Sequence, residues 1–389
     1  MTRQDTKMAI EPGAMKILFY ADTRVFGGHD IGSLAACNAI RECFPQVEIL
    51  WLVSDDNERM LQRLEQEGYR YSFLSSTPRY RLLKNPVAVL AAVMANARKI
   101  RRLAPHVVVV AQGIVTFSFL GSLAARMAGV PHCCYLPLGA LASECDGQGG
   151  SRLLDTLWRL CFRHTNNYIT IDEEQKRLIS LYHPEAKIKI VEVYVAPREI
   201  SGGLRDQSRH EWAISGDRQV IGVVGRIAFA QKNQDWLIHQ LAADSFWKDY
   251  LLLLVGDGPD SARLAEMIRQ LKLEARVRML GWIKSLDPLY AAIDLLLIPS
   301  RSEGVPAVML EALSQRVPVV GTNRDGMKLW LPQEWRFEAG DAEGMKRAVL
   351  AAKQPAGSEF WRVTDAHLKY IQDRRRYGTE FLAAIHSFT

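Results

Sequence analysis

Short apolar runs alternate with longer amphipathic stretches in two successive sets, and this pattern narrows the fold more than any other feature of the chain. The first set falls at residues 15–21, 47–53, 69–74, 107–110, 132–136, 168–171 and 188–191. The second falls at 220–224, 251–255, 277–280, 295–298 and 318–321. Brief apolar runs separated by helix-length segments are the pattern of repeated βα units with parallel strands. Two such sets predict an α/β protein of two doubly wound, Rossmann-like domains. Each binds ligand beyond the carboxyl ends of its strands, so the site lies in the cleft between them. A chain of 389 residues is long enough for both. We read residues 1–14 as a flexible tail, 15–196 as the first domain, 197–217 as a linker rich in Ser, Gly, Arg and Pro, and 218–358 as the second domain. Residues 359–389 read as a final amphipathic helix.

Composition excludes several classes. Hydrophobic content of 48% and charged content of 24% are those of a soluble globular protein. The tail 1–14 is polar and has no apolar segment of the signal-peptide kind. Residues 103–125 carry no formal charge, but Pro105, Gln112, Gly113, Thr116, Ser118 and Ser122 fit a strand, a loop and a buried helix at about 117–129 better than a membrane span. Six cysteines (37, 43, 133, 134, 145, 161) form no CxxC pair or metal spacing. They read as reduced thiols of a cytoplasmic protein, with Cys133 and Cys134 in the core.

The net charge of +6 is uneven: residues 68–143 hold nine Arg or Lys and no Asp or Glu. Arg98, Lys99, Arg101 and Arg102 end a helix whose preceding apolar residues include Val87, Leu90 and Val93, and Arg79, Arg81 and Lys84 stand just before it. Two readings fit residues 79–102. One is a helix whose terminal cations complement its dipole over an ordinary core face. The other is a basic surface that meets anionic lipid or an acidic acceptor. No nucleic-acid recognition motif accompanies the charge.

The most informative local feature is Glu303 and Glu311. Residues 294–299 read as a strand, Glu303 stands in the loop that follows, and Pro306 fits the first position of a helix. Eight residues, part loop and part helix, separate the carboxylates by roughly 8–12 Å. A capped surface helix with two solvated acids would show the same spacing. A nucleotide-sugar laid along the helix start fits it too, with its diphosphate over free N–H groups and the positive helix end. Upstream, Gly225-Arg226 closes a strand and Lys232-Asn233 follows. Then come Gly256-Asp257-Gly258-Pro259, Gly281-Trp282 and Gly321-Thr322. In the first half, Phe26-Gly27-Gly28-His29 joins the first strand to its helix, as a tight turn or as an anion-facing loop.

In order and spacing, these elements resemble the donor-binding domain of retaining glycosyltransferases of family 4, which have the GT-B fold. The resemblance is dense over 218–325 and thin elsewhere. It implies a transferase that moves a hexose from a nucleotide-diphosphate sugar, UDP first and GDP next, to a hydroxyl of a saccharide or lipid-linked acceptor in cell-envelope or other glycan synthesis. The implied setting is the cytoplasm or the inner face of the membrane, and the final helix, 359–389, would return to pack on the first domain. Arg226 and Lys232 would neutralise the diphosphate without a metal, and no cofactor is implied. Glu303 would contact the donor sugar, and Glu311 would accept from the ribose hydroxyls. The N–H groups of Gly304, Val305 and Ala307 would face phosphate or sugar oxygens. Ile283 would mark the base, with Trp282 either stacked nearby or half-buried in the core. Gly28 would approach the diphosphate across the cleft, while His29 starts the helix and caps it.

Three departures stand out. Pro137 occupies the place of a His that family members often carry near the reacting sugar, and His132 sits too early in its strand to replace it. The run ending at Pro197 lacks the usual Asn-Gly. Gly321 leads to Gly326 without the common double Gly. They keep a second reading open: a non-catalytic GT-B module that binds nucleotide-sugar as a partner or sensor. A phosphorylase or epimerase on the same fold lacks, respectively, a pyridoxal lysine signal and placeable acid/base residues.

Overall fold

The computed structural model describes residues 15–24, 26–75, 85–116, 118–139, 141, 152–354 and 356–389. The expected tail 1–14, Arg79, Arg81, Lys84 and Cys145 lie outside them. The first sheet holds β1 (Lys16–Ala21), β2 (Glu48–Val53), β3 (Arg70–Phe73), β4 (Val107–Ala111), β5 (His132–Tyr135), β6 (Asn167–Thr170) and β7 (Lys187–Ile190). The second holds β8 (Gln219–Val224), β9 (Tyr250–Val255), β10 (Val277–Gly281), β11 (Leu295–Ile298), β12 (Val319–Thr322) and β13 (Arg336–Phe337). Their orders are β3-β2-β1-β4-β5-β6-β7 and β10-β9-β8-β11-β12-β13. Both sheets pair in parallel, with Ile17 beside Ile49 and Val107, and Leu296 beside Val319.

Burial on both faces explains the continuous apolar runs. Successive side chains of β1 point to opposite faces. Ile17 and Phe19 enter one core with Trp51 and Val109, while Leu18 and Tyr20 enter the other with Leu52 and Val110. Strand β13 has two residues, Arg336 and Phe337, too few to carry any periodicity. The uncharged stretch 103–125 resolves into β4, a loop and the helix Phe119–Ala128. No helix among the described residues is long and apolar enough to cross a membrane. Cys37, Cys43, Cys133, Cys134 and Cys161 are free thiols, with Cys133 and Cys134 fully buried.

Two expectations are corrected. The segment 197–217 contains the helix Leu204–Glu211. Arg205 donates to the carbonyls of Ala291 (3.0 Å) and Ile293 (3.3 Å), which end the helix Asp287–Ala292, so cations read as linker composition instead satisfy helix-end carbonyls. The final stretch is two helices, because Asp373 caps a new one by accepting from Arg376 N at 2.9 Å. The first, Ser358–Ile371, gives Leu368 and Ile371 to the second domain's core. The second, Arg374–His386, gives Tyr377, Phe381, Leu382 and Ile385 to the first domain's core, where it lies along the helix Gly28–Cys43. Of the two readings of residues 79–102, each finds part of its pattern in the helix Pro86–Leu103: Val93, Ala97 and Ile100 form a core face, while Val87 and Leu90 are exposed. Two of its basic residues meet carbonyls, Lys99 that of Phe73 and Arg101 those of Met127 and Ala128.

Candidate active site

Strand order reverses between β8 and β11, and the loops leaving these two strands flank the crevice where a doubly wound sheet binds ligand. The exit of β8 supplies Gly225, Arg226 and Lys232. The exit of β11 supplies Glu303. They meet: Lys232 Nζ donates to Glu303 Oε1, with the Glu303 side chain 9% exposed.

Local structure fixes this pairing. Lys232 ends the short helix Phe229–Lys232, whose first N–H is capped by Asp260 Oδ2 at 2.8 Å. Asn233 then takes a left-handed conformation (φ 59°), which Asn tolerates better than most residues. Its Oδ1 accepts from Arg301 Nε (2.9 Å), and its amide donates to Pro299 O (3.2 Å). The Lys232 turn is therefore tied to the β11 loop on both sides. Arg226 donates to Gln231 Oε1 (3.4 Å), and Gln231 donates to Ser302 O (3.2 Å). Glu303 N donates to Asp325 Oδ2 (2.8 Å), which ties the β12 loop to the same site.

Pro306 is the residue before the helix Ala307–Ser314, one position earlier than expected. Ala307 therefore opens the helix, where the first N–H groups have no partner within it. Glu311 lies in a second cluster. Its Oε1 accepts from Arg198 Nη2 (3.1 Å) and its Oε2 from Tyr290 OH (2.8 Å). Burial, and then the Glu311 charge, hold Tyr290 well above its ordinary range, so it remains a donor.

The site is closed by the first domain. A Cβ at Gly304 would sit 2.6 Å from the Pro137 carbonyl oxygen and 3.1 Å from Ile171 Cδ1. The backbone at this glycine thus approaches the other domain closely, at the residue standing in the His position. Val305 packs against the cores of both domains. Arg59, on the helix Glu58–Gln66, pairs with Asp257 (Nη1–Oδ1 3.1 Å) and lies over the Trp282 ring at 5.7 Å. Trp282 is 58% exposed, which removes the core alternative for it, and neighbouring Ile283 is half-buried against the second core. Gly28 is the exposed first residue of its helix, with nothing within 4 Å of where a Cβ would stand, and Gly27, not His29, is the cap. His29 is buried beside Thr23 and Asp30.

The sequence reading missed Arg198, Tyr290, Asp287, Asp325 and Asp22. Only Asp22 had an available signal, a lone acid directly after an apolar strand. It stands at the reversal point of the first sheet, between β1 and β4. Ser118 OH donates to its Oδ1 at 2.9 Å, and burial pushes its carboxyl up to about 6. The folded protein then binds a proton that the unfolded chain releases from about pH 4 upward. This contribution to stability is full below pH 4 and is lost as pH rises through 6. Asp22→Asn should therefore gain on wild type across that window and hold a lead of roughly 1–3 kcal/mol above it. Urea unfolding at pH 4 and pH 8 tests this, and an unchanged difference between the two would refute it.

Residues 218–353 match the family described as Glycosyl transferases group 1. The chain is 29% identical over 147 residues to the N-acetyl-alpha-D-glucosaminyl L-malate synthase of Bacillus anthracis, covering 38% of each chain. It is 28% identical over 260 residues to the UDP-Gal:alpha-D-GlcNAc-diphosphoundecaprenol alpha-1,3-galactosyltransferase of Escherichia coli, covering 59% of this chain and 62% of that one. These alignments thus span between about a third and two-thirds of the relatives' own length. Among solved structures, Anabaena HepE in complex with UDP and glucose superposes with a TM-score of 0.73 at 18% identity, over 96% of this chain and all of that one. Residues 218–353 thus match the Glycosyl transferases group 1 family, and the chain as a whole has the GT-B fold.

Proposed function

We propose that the chain is a retaining glycosyltransferase of family 4. It moves a hexose from a nucleotide-diphosphate sugar, UDP before GDP, to a hydroxyl of a saccharide or lipid-linked acceptor in cell-envelope glycan synthesis. The observation that carries this reading is the Lys232–Glu303 pair at the reversal point of the second sheet, with Arg226 linked to the Glu303 loop through Gln231. Lys232 and Arg226 supply positive charge where a departing diphosphate gains negative charge, so no metal is needed for that task. Glu303 contacts the donor sugar, and Glu311 the ribose. Gly28, Ile283 and the helix start at Gly304, Val305 and Ala307 line the rest. The bond from the anomeric carbon to phosphate breaks and the acceptor oxygen bonds on the same face. The departing phosphate takes the acceptor's proton.

The UDP preference draws on the UDP-Gal-dependent galactosyltransferase relative and on the HepE complex with UDP and glucose. Exposed Arg98, Arg102, Val87 and Leu90 on one helix favour a peripheral place on an anionic membrane face, where basic and apolar groups act together. Pro137 in place of the family His favours the second reading, a nucleotide-sugar-binding module without transfer.

Thermal shift with UDP, GDP, ADP and CMP, each with and without EDTA, tests the donor site. A ligand at 100 times its dissociation constant adds ~2.7 kcal/mol. One nucleotide should raise the melting temperature, equally with EDTA. No shift at millimolar nucleotide would overturn the donor site, and a shift abolished by EDTA would overturn metal independence. Release of UDP from UDP-sugar separates the enzyme from the binding module.

A further inference from the structure

Arg198 lies where the chain crosses from the first sheet to the second, just past the run that lacks the family's Asn-Gly. Its backbone is held there by Gln315 Nε2, which donates to Arg198 O at 2.8 Å. Its guanidinium forks between two carboxylates, Asp287 Oδ1 at 2.6 Å and Glu311 Oε1 at 3.1 Å. Asp287 is fixed in turn by Ser285 OH (2.8 Å to Oδ2). Tyr290 OH holds the other oxygen of Glu311 at 2.8 Å. Among the described residues each Glu311 oxygen therefore has one side-chain donor, and a carboxylate oxygen accepts about two hydrogen bonds. The Arg198 and Glu311 side chains are 24% and 16% exposed, enclosed enough to be held in place yet not sealed from solvent.

We infer that Arg198 is a positioning residue for the nucleotide ribose: it sets the orientation of Glu311 so that the remaining acceptor sites of the carboxylate meet the 2′- and 3′-hydroxyls. This deepens the proposed donor site and rests on it. The planar fork matters because it fixes an angle between two carboxylates, which a lysine's single ammonium does not. The same contact ties donor recognition to the interdomain crossing, since the residue that aims Glu311 belongs to the segment joining the two sheets.

The test is calorimetric binding of UDP and of 2′,3′-dideoxy-UDP to wild type, Arg198→Ala and Arg198→Lys, or of the guanosine pair where GDP is the nucleotide that wild type binds. Wild type should prefer the ribonucleotide by about tenfold or more, the scale of hydrogen bonds to a charged group. Arg198→Ala should lose that preference by weakening UDP while leaving the dideoxy ligand within about threefold, since only the former meets Glu311 through its hydroxyls. Arg198→Lys, which keeps the charge, should recover part of it. Equal weakening of both ligands would mark a merely structural role and overturn the inference. So would an unchanged preference in both variants, or no preference in wild type, with the donor site itself left standing. Wild type that binds no nucleotide overturns the donor site, and this inference with it.

Discussion

Lys232→Ala should lower turnover of the nucleotide-sugar by ~10²–10³-fold, the usual effect of removing one charge-stabilising donor from a reacting centre. It should also destabilise the protein without ligand, for a separate reason. The Glu303 side chain is 9% exposed and its Oε1 accepts from Lys232. Removing one partner of a buried pair leaves a charge with poor solvation, at a cost of up to ~3–5 kcal/mol, and the partial exposure of Lys232 places this case near or below the lower figure. The two effects separate in the double variant Lys232→Ala/Glu303→Gln. Neutralising the orphaned carboxylate should restore most of the melting temperature, and turnover should stay low because the cation is still missing and the carboxylate proposed to meet the donor sugar is now neutral. UDP release from UDP-sugar and thermal unfolding, measured on the same preparations, decide it. Recovery of turnover together with stability would mean that Lys232 only balances Glu303, and would remove it from the proposed chemistry.

Much of this was legible because it depends on local pattern. Each of the twelve expected strand runs overlaps an observed strand, since an inner parallel strand buried on both faces must be almost wholly apolar, and the edge strands β3 and β7 still mix exposed with half-buried residues. Gly225-Arg226, Lys232 and Glu303 could be read together because they lie at strand exits, which the same pattern locates. Strand β13 escaped because two residues carry no period. Arg198, Tyr290 and Asp287 escaped for another reason: each is far from Glu311 in sequence, and neither an arginine after a proline nor a tyrosine in a short helix announces a carboxylate partner. Trp282 was ambiguous because an aromatic beside a strand serves core or surface equally well, and only its 58% exposure under Arg59 decides between them. The resemblance implies that the Gly304 N–H faces phosphate or sugar oxygens. The nearest constraint on Gly304 is the Pro137 carbonyl of the other domain, a contact that no spacing within one segment can reveal.

Gly256→Ala should be the most damaging of the glycine substitutions near the site, and its cost can be separated into two physical parts. Gly256 has φ 131°, a region that side chains rarely adopt, which costs ~1–3 kcal/mol. A Cβ there would also overlap the Gly225 carbonyl, lying 2.8 Å from its carbon, and the obstacle is backbone rather than the far end of a side chain. Relief requires the exits of β8 and β9 to part, at ~1–3 kcal/mol more. We expect a loss of roughly 2–6 kcal/mol in urea unfolding from these two causes. Gly225→Ala isolates the first. Its φ is 148°, but the new Cβ would meet the Lys232 side chain, nearest at Cε, 3.6 Å away, an ordinary contact, so the loss should be smaller. Gly28→Ala is the opposite control. Nothing lies within 4 Å of its Cβ position, and it opens a helix, where alanine is favoured, so stability should hold or rise. Any loss of nucleotide binding in Gly28→Ala would then come from the added methyl meeting ligand. Gly256→Ala should weaken nucleotide binding as well, because parting the exits of β8 and β9 moves Gly225, and with it Arg226 and the turn that carries Lys232. A Gly256→Ala protein within ~1 kcal/mol of wild type that still bound nucleotide normally would show that the crossing of these two loops relaxes freely, and that their close approach does not set the position of the cations.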